Sequence, residues 1–583
     1  MTVTRSGDRL DRVAIVDGYV DEPTCLGVTP YMSPYPRYIA GAIWTHTPRT
    51  QILYHTIDQV RESFQNAISQ WAQCDIIILI AGMIVPGKYI GGTPISVREA
   101  RELFSDPALA DSTKILVGPW ARFGCGLEGG RIALSAEHLS PPFDYIISGD
   151  PEITIGNLAA DNWNLSNIDV TAVRPSSGAI ADYAVRGATI VNQHPHMSFN
   201  HLICEIETYR GCARFPTGGC SFCVEPSYGE PDPRSVSDIA REIQALHSVG
   251  VTAFRIGMQA DLFTYGSHEM GLEEFPTPNP SSIEELFSKI RSVAPNIDVL
   301  HIDNVNPGTI ARHPEESRKV AKIVMKYHTP GDVAAFGVES LDPEVVRRNN
   351  LKATEEEVMF AVRILNEEGG RRPPRGLPHL LPGINLLYGL PGERRKTLEY
   401  NTAFLRNLID EGLMVRRINV RQVIGLSGTR LETGVKTRVK RNEFFRHKEE
   451  IRQKIDRVMI EQVAPQGTIL RRAFVESEVG NRYLLRQLGT YPLLCSMPKG
   501  TREFTITDVF VVDHGPRSLT VLPYPLRLHD STLAQWKAIP GMGGKRAARI
   551  KAENRVKSIE DLERVLDYTI PAWLGESIDF AEE

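Results

Sequence analysis

The chain has 583 residues, 42% hydrophobic and 23% charged, with a formal net charge of −5. That length exceeds what one hydrophobic core serves and predicts three or four domains. The balance of apolar and charged residues is that of a globular protein, and the mild acidity excludes a surface basic enough to coat nucleic acid throughout, so basic character has to be local.

Eight cysteines at irregular spacing are no disulfide framework. No leader segment is expected, and no membrane association either, since a bilayer takes about 20 apolar residues and the run 76–85 is interrupted by Gly82 and stopped by Pro86. A cytoplasmic location is expected, where thiols stay reduced and clustered cysteines read as metal ligands.

Residues 1–195 alternate strand and helix signals, with strands at 12–17, 75–80, 115–118 and 145–147 and helical periodicity over 57–72. Such α/β alternation predicts a Rossmann-like parallel sheet. Its Gly/Pro-rich loops 29–36, 87–94 and 123–130 follow strand ends, where ligands of open sheets bind. Residues 173–196 read as a loop crossing to the next domain. Over 196–435 the alternation resumes, with strands at 202–206, 253–256, 299–302, 334–338, 384–387 and 417–423 and helices at 235–249, 283–293, 355–367 and 396–409. Repeated βα units of this length predict a full or partial barrel with its chemistry at the strand C-termini.

Residues 436–465 read as a charged connecting helix carrying Lys436, Arg438, Lys440, Arg441, Arg446, Lys448, Arg452 and Lys454. Residues 466–528 are β-rich, with turns at Gly489, Gly500 and Gly515, and predict a small antiparallel barrel. Residues 529–583 return to helix–turn–helix patterning, and 536–566 hold eight Lys/Arg against four Asp/Glu.

The strongest chemical signal is ETYRGCARFPTGGCSFC, Glu207 to Cys223, directly after an apolar strand. Thiolates are the soft ligands that iron–sulfur clusters need. Cys212, Cys220 and Cys223 can hold three irons of a [4Fe–4S] cluster and leave the fourth open to a small chelating molecule. Gly218 and Gly219 let the backbone fold tightly around it. The alternative is a structural zinc site with Cys204 as fourth ligand; Cys204 sits in an apolar strand and is expected to pack as a small hydrophobe.

Glu-x-x-Arg-Gly-Cys ending in Cys-x-Phe-Cys resembles the signature of the radical S-adenosylmethionine (SAM) superfamily, although seven residues separate the first two cysteines where three are usual. The resemblance implies that the open iron binds SAM, with Phe222 beside the cofactor, and that reduction by a donor such as ferredoxin or flavodoxin yields a 5′-deoxyadenosyl radical. Further words follow in family order. Gly257, Met258 and Gln259 match the motif that meets the SAM amino group, and Glu339 and Ser340 match the strand end that meets its ribose or carboxylate. LLYGLPGE at 386–393 is similar to the fifth strand and its turn, and Arg421 and Gln422 fall on the substrate side.

The amino-terminal part resembles the domains that precede such barrels. The cobalamin-binding version carries a histidine after the first strand, and residues 17–23 have none. The methylthiotransferase version carries a second cluster on three cysteines, which Cys25, Cys74 and Cys125 match in number; three unrelated thiols is the other reading. Arg486, Gln487 and 490–492 look like part of a TRAM-type RNA-binding barrel. Gly541, Gly543, Gly544, Lys545 and Arg546 resemble a helix–hairpin–helix, whose N–H groups receive phosphates. The domain order resembles an uncharacterised, mainly archaeal radical SAM family. It implies modification of a nucleoside in RNA, tRNA above all. Two alternatives stay open: a metabolite or protein substrate with the hairpin as docking module, and a non-enzymatic, metal-stabilised nucleic-acid-binding protein.

Overall fold

The computed structural model describes residues 12–22, 25–82, 92–435, 439–552 and 556–581. Lys436 and Arg438 of the charged helix lie outside them.

The amino-terminal sheet is wholly parallel, in the order Gln51–Thr56, Arg12–Asp17, Ile76–Ile80, Thr113–Val117, Tyr145–Ile146. Numbered along the chain this is 2-1-3-4-5, a doubly wound order whose switch point lies between its first and third strands. Ile76–Ile80 is buried at all five positions, because a central strand covered on both faces needs a continuous apolar run. The expected 57–72 helix is broken at Ser63 into Ile57–Glu62 and Phe64–Trp71.

The barrel consists of two four-stranded parallel sheets that meet where Val299–Ile302 runs on into Asn304–Val305. Its six long strands in chain order are Ile203–Glu207, Ala253–Gly257, Val299–Ile302, Asp332–Glu339, Leu380–Tyr388 and Arg417–Gln422. The edge is extended from outside this segment, since Tyr31–Met32 pairs with Ile203 and Cys204. The amino-terminal part therefore builds one strand of the barrel.

The segment expected to be a crossing loop is instead helical, with a short helix at Ala181–Arg186 and 3₁₀ turns at Gly187–Gln193 and Pro195–Phe199. It packs on the helix Pro34–His46 at very short range. A Cβ on Gly187 would lie 1.8 Å from the carbonyl oxygen of Arg37, and one on Gly41 would lie 1.9 Å from that of Tyr183. Backbone meets backbone there, so a methyl group has nothing flexible to displace. Gly187→Ala should cost at least about 1–3 kcal/mol, read as a lower urea midpoint of the full chain.

After the core come the helices Arg441–Ile451 and Arg457–Val463, joined by a π-turn at Arg452–Asp456. A closed five-stranded barrel follows, in the order Ile469–Val479, Arg482–Gln487, Leu494–Pro498, Ser518–Pro523, Ile506–His514. The terminal helices Leu533–Lys537, Gly544–Ala552 and Ile559–Leu566 pack on its outside, where Trp536, Ile539 and Leu562 meet Phe510 and Val512. Among the described residues no helix is long and apolar enough to cross a membrane.

Candidate cluster and SAM site

The loop bearing the cysteines leaves the first barrel strand at Glu207 and is held at its root by charge. Arg174 donates to Glu207 (3.1 Å) and Glu152 (2.6 Å), and Arg210 donates to Asp150 (2.7 Å). Asp150 and Glu152 thus serve as anchors for this loop.

Seven residues between Cys212 and Cys220 make room for a 3₁₀ turn at Phe215–Thr217, closed by Gly218 and Gly219 at φ +77 and +55. The buried Arg214 fixes the insertion, donating to Cys220 Sγ (3.4 Å), Glu274 (2.8 Å) and Asn350 (3.0 Å). Asn350 donates back to the Gly219 carbonyl (3.1 Å), Arg430 donates to the same oxygen (2.8 Å), and Ser221 donates to Asn349 (2.7 Å). The unusual spacing is therefore a braced structure.

Cys212, Cys220, Phe222 and Cys223 line one cavity of about 660 Å³. Burial pushes the Cys212 thiol up to about 11 and raises Cys220 and Cys223 as well, and Lys352 is a near charge to all three. Iron would displace those protons, since only thiolates ligate. Among the described residues no three His, Cys, Asp or Glu side chains converge on one ion; a cubane needs no such convergence, because each thiolate serves a different iron. Cys204 is buried in the main core on the first barrel strand and does not line the cavity, so the donor set is three. Three thiols at a cavity wall, with space before them, fit a [4Fe–4S] cluster with one open vertex.

Glu339 also lines this cavity, at the end of the fourth strand where a register shift gives it φ +64. Burial pushes its carboxyl up to about 7, opposed by Lys352 and Arg421. Non-glycine residues rarely adopt that conformation, and where they do a site is often nearby. Ser340 faces away, its hydroxyl accepting from the Asp342 amide (3.2 Å). Gly257 receives the Glu205 side chain, since a Cβ there would lie 1.8 Å from the carboxylate. Met258 has φ +52, and Gln259 donates to the Ile256 carbonyl (3.2 Å) and accepts from Thr208 (3.1 Å). None of these three lines the cavity; Ala260 and Asn304 do.

Cys25, Cys74 and Cys125 are not brought together. Cys25 packs in the main core; Cys74 and Cys125 belong to the separate apolar cluster that includes Trp71, Leu79 and Trp120. In the carboxy-terminal hairpin Gly541 has φ +80, Gly543, Gly544 and Lys545 are exposed, and Arg546 donates to the Gly541 carbonyl (2.8 Å) while stacking on Tyr568.

Several cavity residues carried no signal in the sequence. Asp21 and Glu22 come from the switch-point loop of the amino-terminal sheet, Lys352 from beyond the fourth strand, and Arg517 from the carboxy-terminal barrel. Tertiary folding alone assembles them.

The family model of the radical SAM superfamily matches residues 206–402, the span that carries the thiol loop, the end of the first barrel strand and the second to fifth strands in full. The chain belongs to that superfamily and is an enzyme of the radical SAM type, using a [4Fe–4S] cluster and SAM. Within it the chain belongs to a family with uncharacterised archaeal relatives. One, from Methanocaldococcus jannaschii, is 45% identical over 88% of this chain and 93% of its own length. Another, from Archaeoglobus fulgidus, is 40% identical over 92% and 94%.

Solved structures with a likeness include the radical SAM methyltransferase TsrM from Kitasatospora setae with cobalamin and a [4Fe–4S] cluster bound, at TM-score 0.43 and 14% identity over 72% of this chain and 74% of that one. The cobalamin-dependent enzyme OxsB is similar at TM-score 0.45 and 15% identity over 68% and 52%.

Proposed function

We propose that the enzyme modifies a nucleoside of RNA, tRNA above all, by hydrogen abstraction. When bound, the cluster supplies the electron that cleaves SAM, and a donor such as ferredoxin or flavodoxin delivers that electron. The chain's own residues bind and orient: the loop brace sets the three thiols, Lys352 places a cation beside them, and the strand ends shape the chamber.

The observation that carries the RNA reading is a shared wall. Arg486, Tyr491, Leu493, Leu494 and Arg517 of the carboxy-terminal barrel line the same cavity as the thiols. A substrate in reach of the radical therefore touches the module that the sequence likens to an RNA-binding barrel. The exposed turn at Gly543–Lys545 lies on helices packed against that module and offers backbone N–H groups to a phosphate. A splayed loop base can enter a chamber, whereas a stacked duplex base cannot.

The test is a mass-spectrometric survey of modified nucleosides in a deletion strain beside its parent. A missing nucleoside, restored by the wild-type gene, supports the reading; an unchanged set overturns it. Lys545→Glu should weaken tRNA binding about equally across sequences and flatten its salt dependence by about one unit of slope, measured by filter binding over a salt series.

A further inference from the structure

We infer that one wall of the reaction cavity is a phosphate subsite, formed by Arg417 and Arg421 of the sixth barrel strand and Arg517 of the carboxy-terminal barrel. The inference rests on the reading that this cavity is the reaction chamber, and it names the substrate as a phosphate ester.

Arg417 and Arg421 are four residues apart on one strand, so their side chains leave the same face. Arg517 comes from the turn between Ile506–His514 and Ser518–Pro523. Two separate elements thus bring cations to one cavity. Burial disfavours the charged form of Arg417, and Arg421 and Arg517 lie close enough to add to that.

The local acids do not balance this cluster. Asp456, turned inward by the π-turn, pairs with Arg517 at 3.2 Å. Asp21 faces Arg421 and Arg417 across the cavity, and its Oδ2 is buried with no hydrogen-bond partner. Arg452 is matched by Glu449 at 3.6 Å. Arg417 has no carboxylate at ion-pair distance among the described residues; its guanidinium lies over the Tyr491 ring, 4.0 Å from the centroid.

Arg416, Arg417, Arg421 and Arg517, all lining the cavity, outnumber by one the acids that face them, Asp21, Asp456 and Glu339. Arg486, which also lines the cavity, is left out of that count because Glu476 pairs with it. A phosphate monoester carries about −1.5 to −2 at neutral pH, and guanidinium forks match its oxygens two at a time. Asp21 then remains to accept from a hydroxyl or amino group of the same substrate. Like charges gathered in a half-buried wall are costly unless a counter-charge arrives, and the open cavity is where one would sit.

The test uses the full-length protein without cluster or SAM. A mixture of the four nucleoside 5′-monophosphates, inorganic phosphate, and the matching nucleosides are titrated in turn by calorimetry. Nucleotides and phosphate should bind and nucleosides should not. Arg421→Met and, separately, Arg517→Met should each weaken nucleotide binding by about tenfold, with circular dichroism unchanged. Arg471→Met, an exposed arginine paired with Asp508 outside the cavity, should leave binding as it is.

Equal binding of nucleotide and nucleoside, or no loss in either cavity variant, overturns the subsite. A short RNA tried beside the mononucleotides separates the two sources of phosphate. If mononucleotides bind through Arg421 while every RNA nucleoside survives in the deletion strain, the subsite stands, the RNA reading falls, and a small phosphate ester is the substrate.

Discussion

Replacing any one of Cys212, Cys220 or Cys223 by serine should abolish SAM cleavage and leave the chain folded. Protein reconstituted without oxygen with iron and sulfide should show iron–sulfur absorbance in the wild type and lose most of it in each variant. 5′-Deoxyadenosine release with SAM and a strong reductant should fall below detection. The cause is the donor set: three thiols share the cavity wall, and the fourth nearby cysteine in sequence, Cys204, is buried in another part of the core. A serine hydroxyl is too hard and too weakly acidic to replace a thiolate on iron.

Cys204→Ala is the control. It removes one buried sulfur from the core at a cost of about 1 kcal/mol, and iron content and SAM cleavage should be unchanged. A zinc site of four cysteines makes the opposite forecast, with Cys204→Ala losing metal as readily as the others. Equal metal loss in all four variants would sink the three-thiol assignment.

The thiols were legible in the sequence because their chemistry lies within a single loop. What braces them was only partly so. Gly218 and Gly219 stand out within the loop, but the hydrogen bonds that Asn349 and Asn350 make with Ser221 and Gly219 exist only once the fold has brought the segment after the fourth strand beside it. Strands buried on both faces, such as Ile76–Ile80 and Val299–Ile302, announce themselves as apolar runs.

Gln51–Thr56 does not. It is the edge strand of its sheet, and its alternating exposure leaves Gln51 and His55 polar enough to be passed over. The helix Pro34–His46 hides behind Pro34 and Pro36, which read as a loop although a first helical turn tolerates proline. The fifth barrel strand was read short because Pro382 and Gly383 interrupt its apolar pattern. Other parts of the cavity were invisible for a different reason: Asp21, Lys352 and Arg517 belong to three distant segments, and no local spacing relates them.

Arg255→Met should destabilise the protein by about 3–5 kcal/mol, and more at mildly alkaline than at mildly acid pH. Arg255 is almost wholly buried, with one nitrogen donating to both oxygens of Glu205 (2.8 and 2.9 Å), while the other pairs with Asp303 and donates to Tyr491 (3.3 Å). Tyr31 adds a hydrogen bond to the Gly489 carbonyl (2.8 Å). One guanidinium therefore ties three barrel strands to the carboxy-terminal barrel.

Burial already raises the carboxyls of Glu205 and Asp303, and Arg255 is the leading influence holding them down. Without it both rise further. Between the unfolded values, about 4, and those raised values, the folded variant binds protons that the unfolded chain has released. Its stability then falls as pH rises through that window and is regained on acidification. Urea midpoints of wild type and variant at two pH values measure this, and adding Glu205→Gln to Arg255→Met should recover part of the loss at the higher pH. An equal loss at both pH values, with no recovery in the double variant, would mean that Arg255 acts by packing its carbon chain and that the buried charges of this layer are neutralised by other groups.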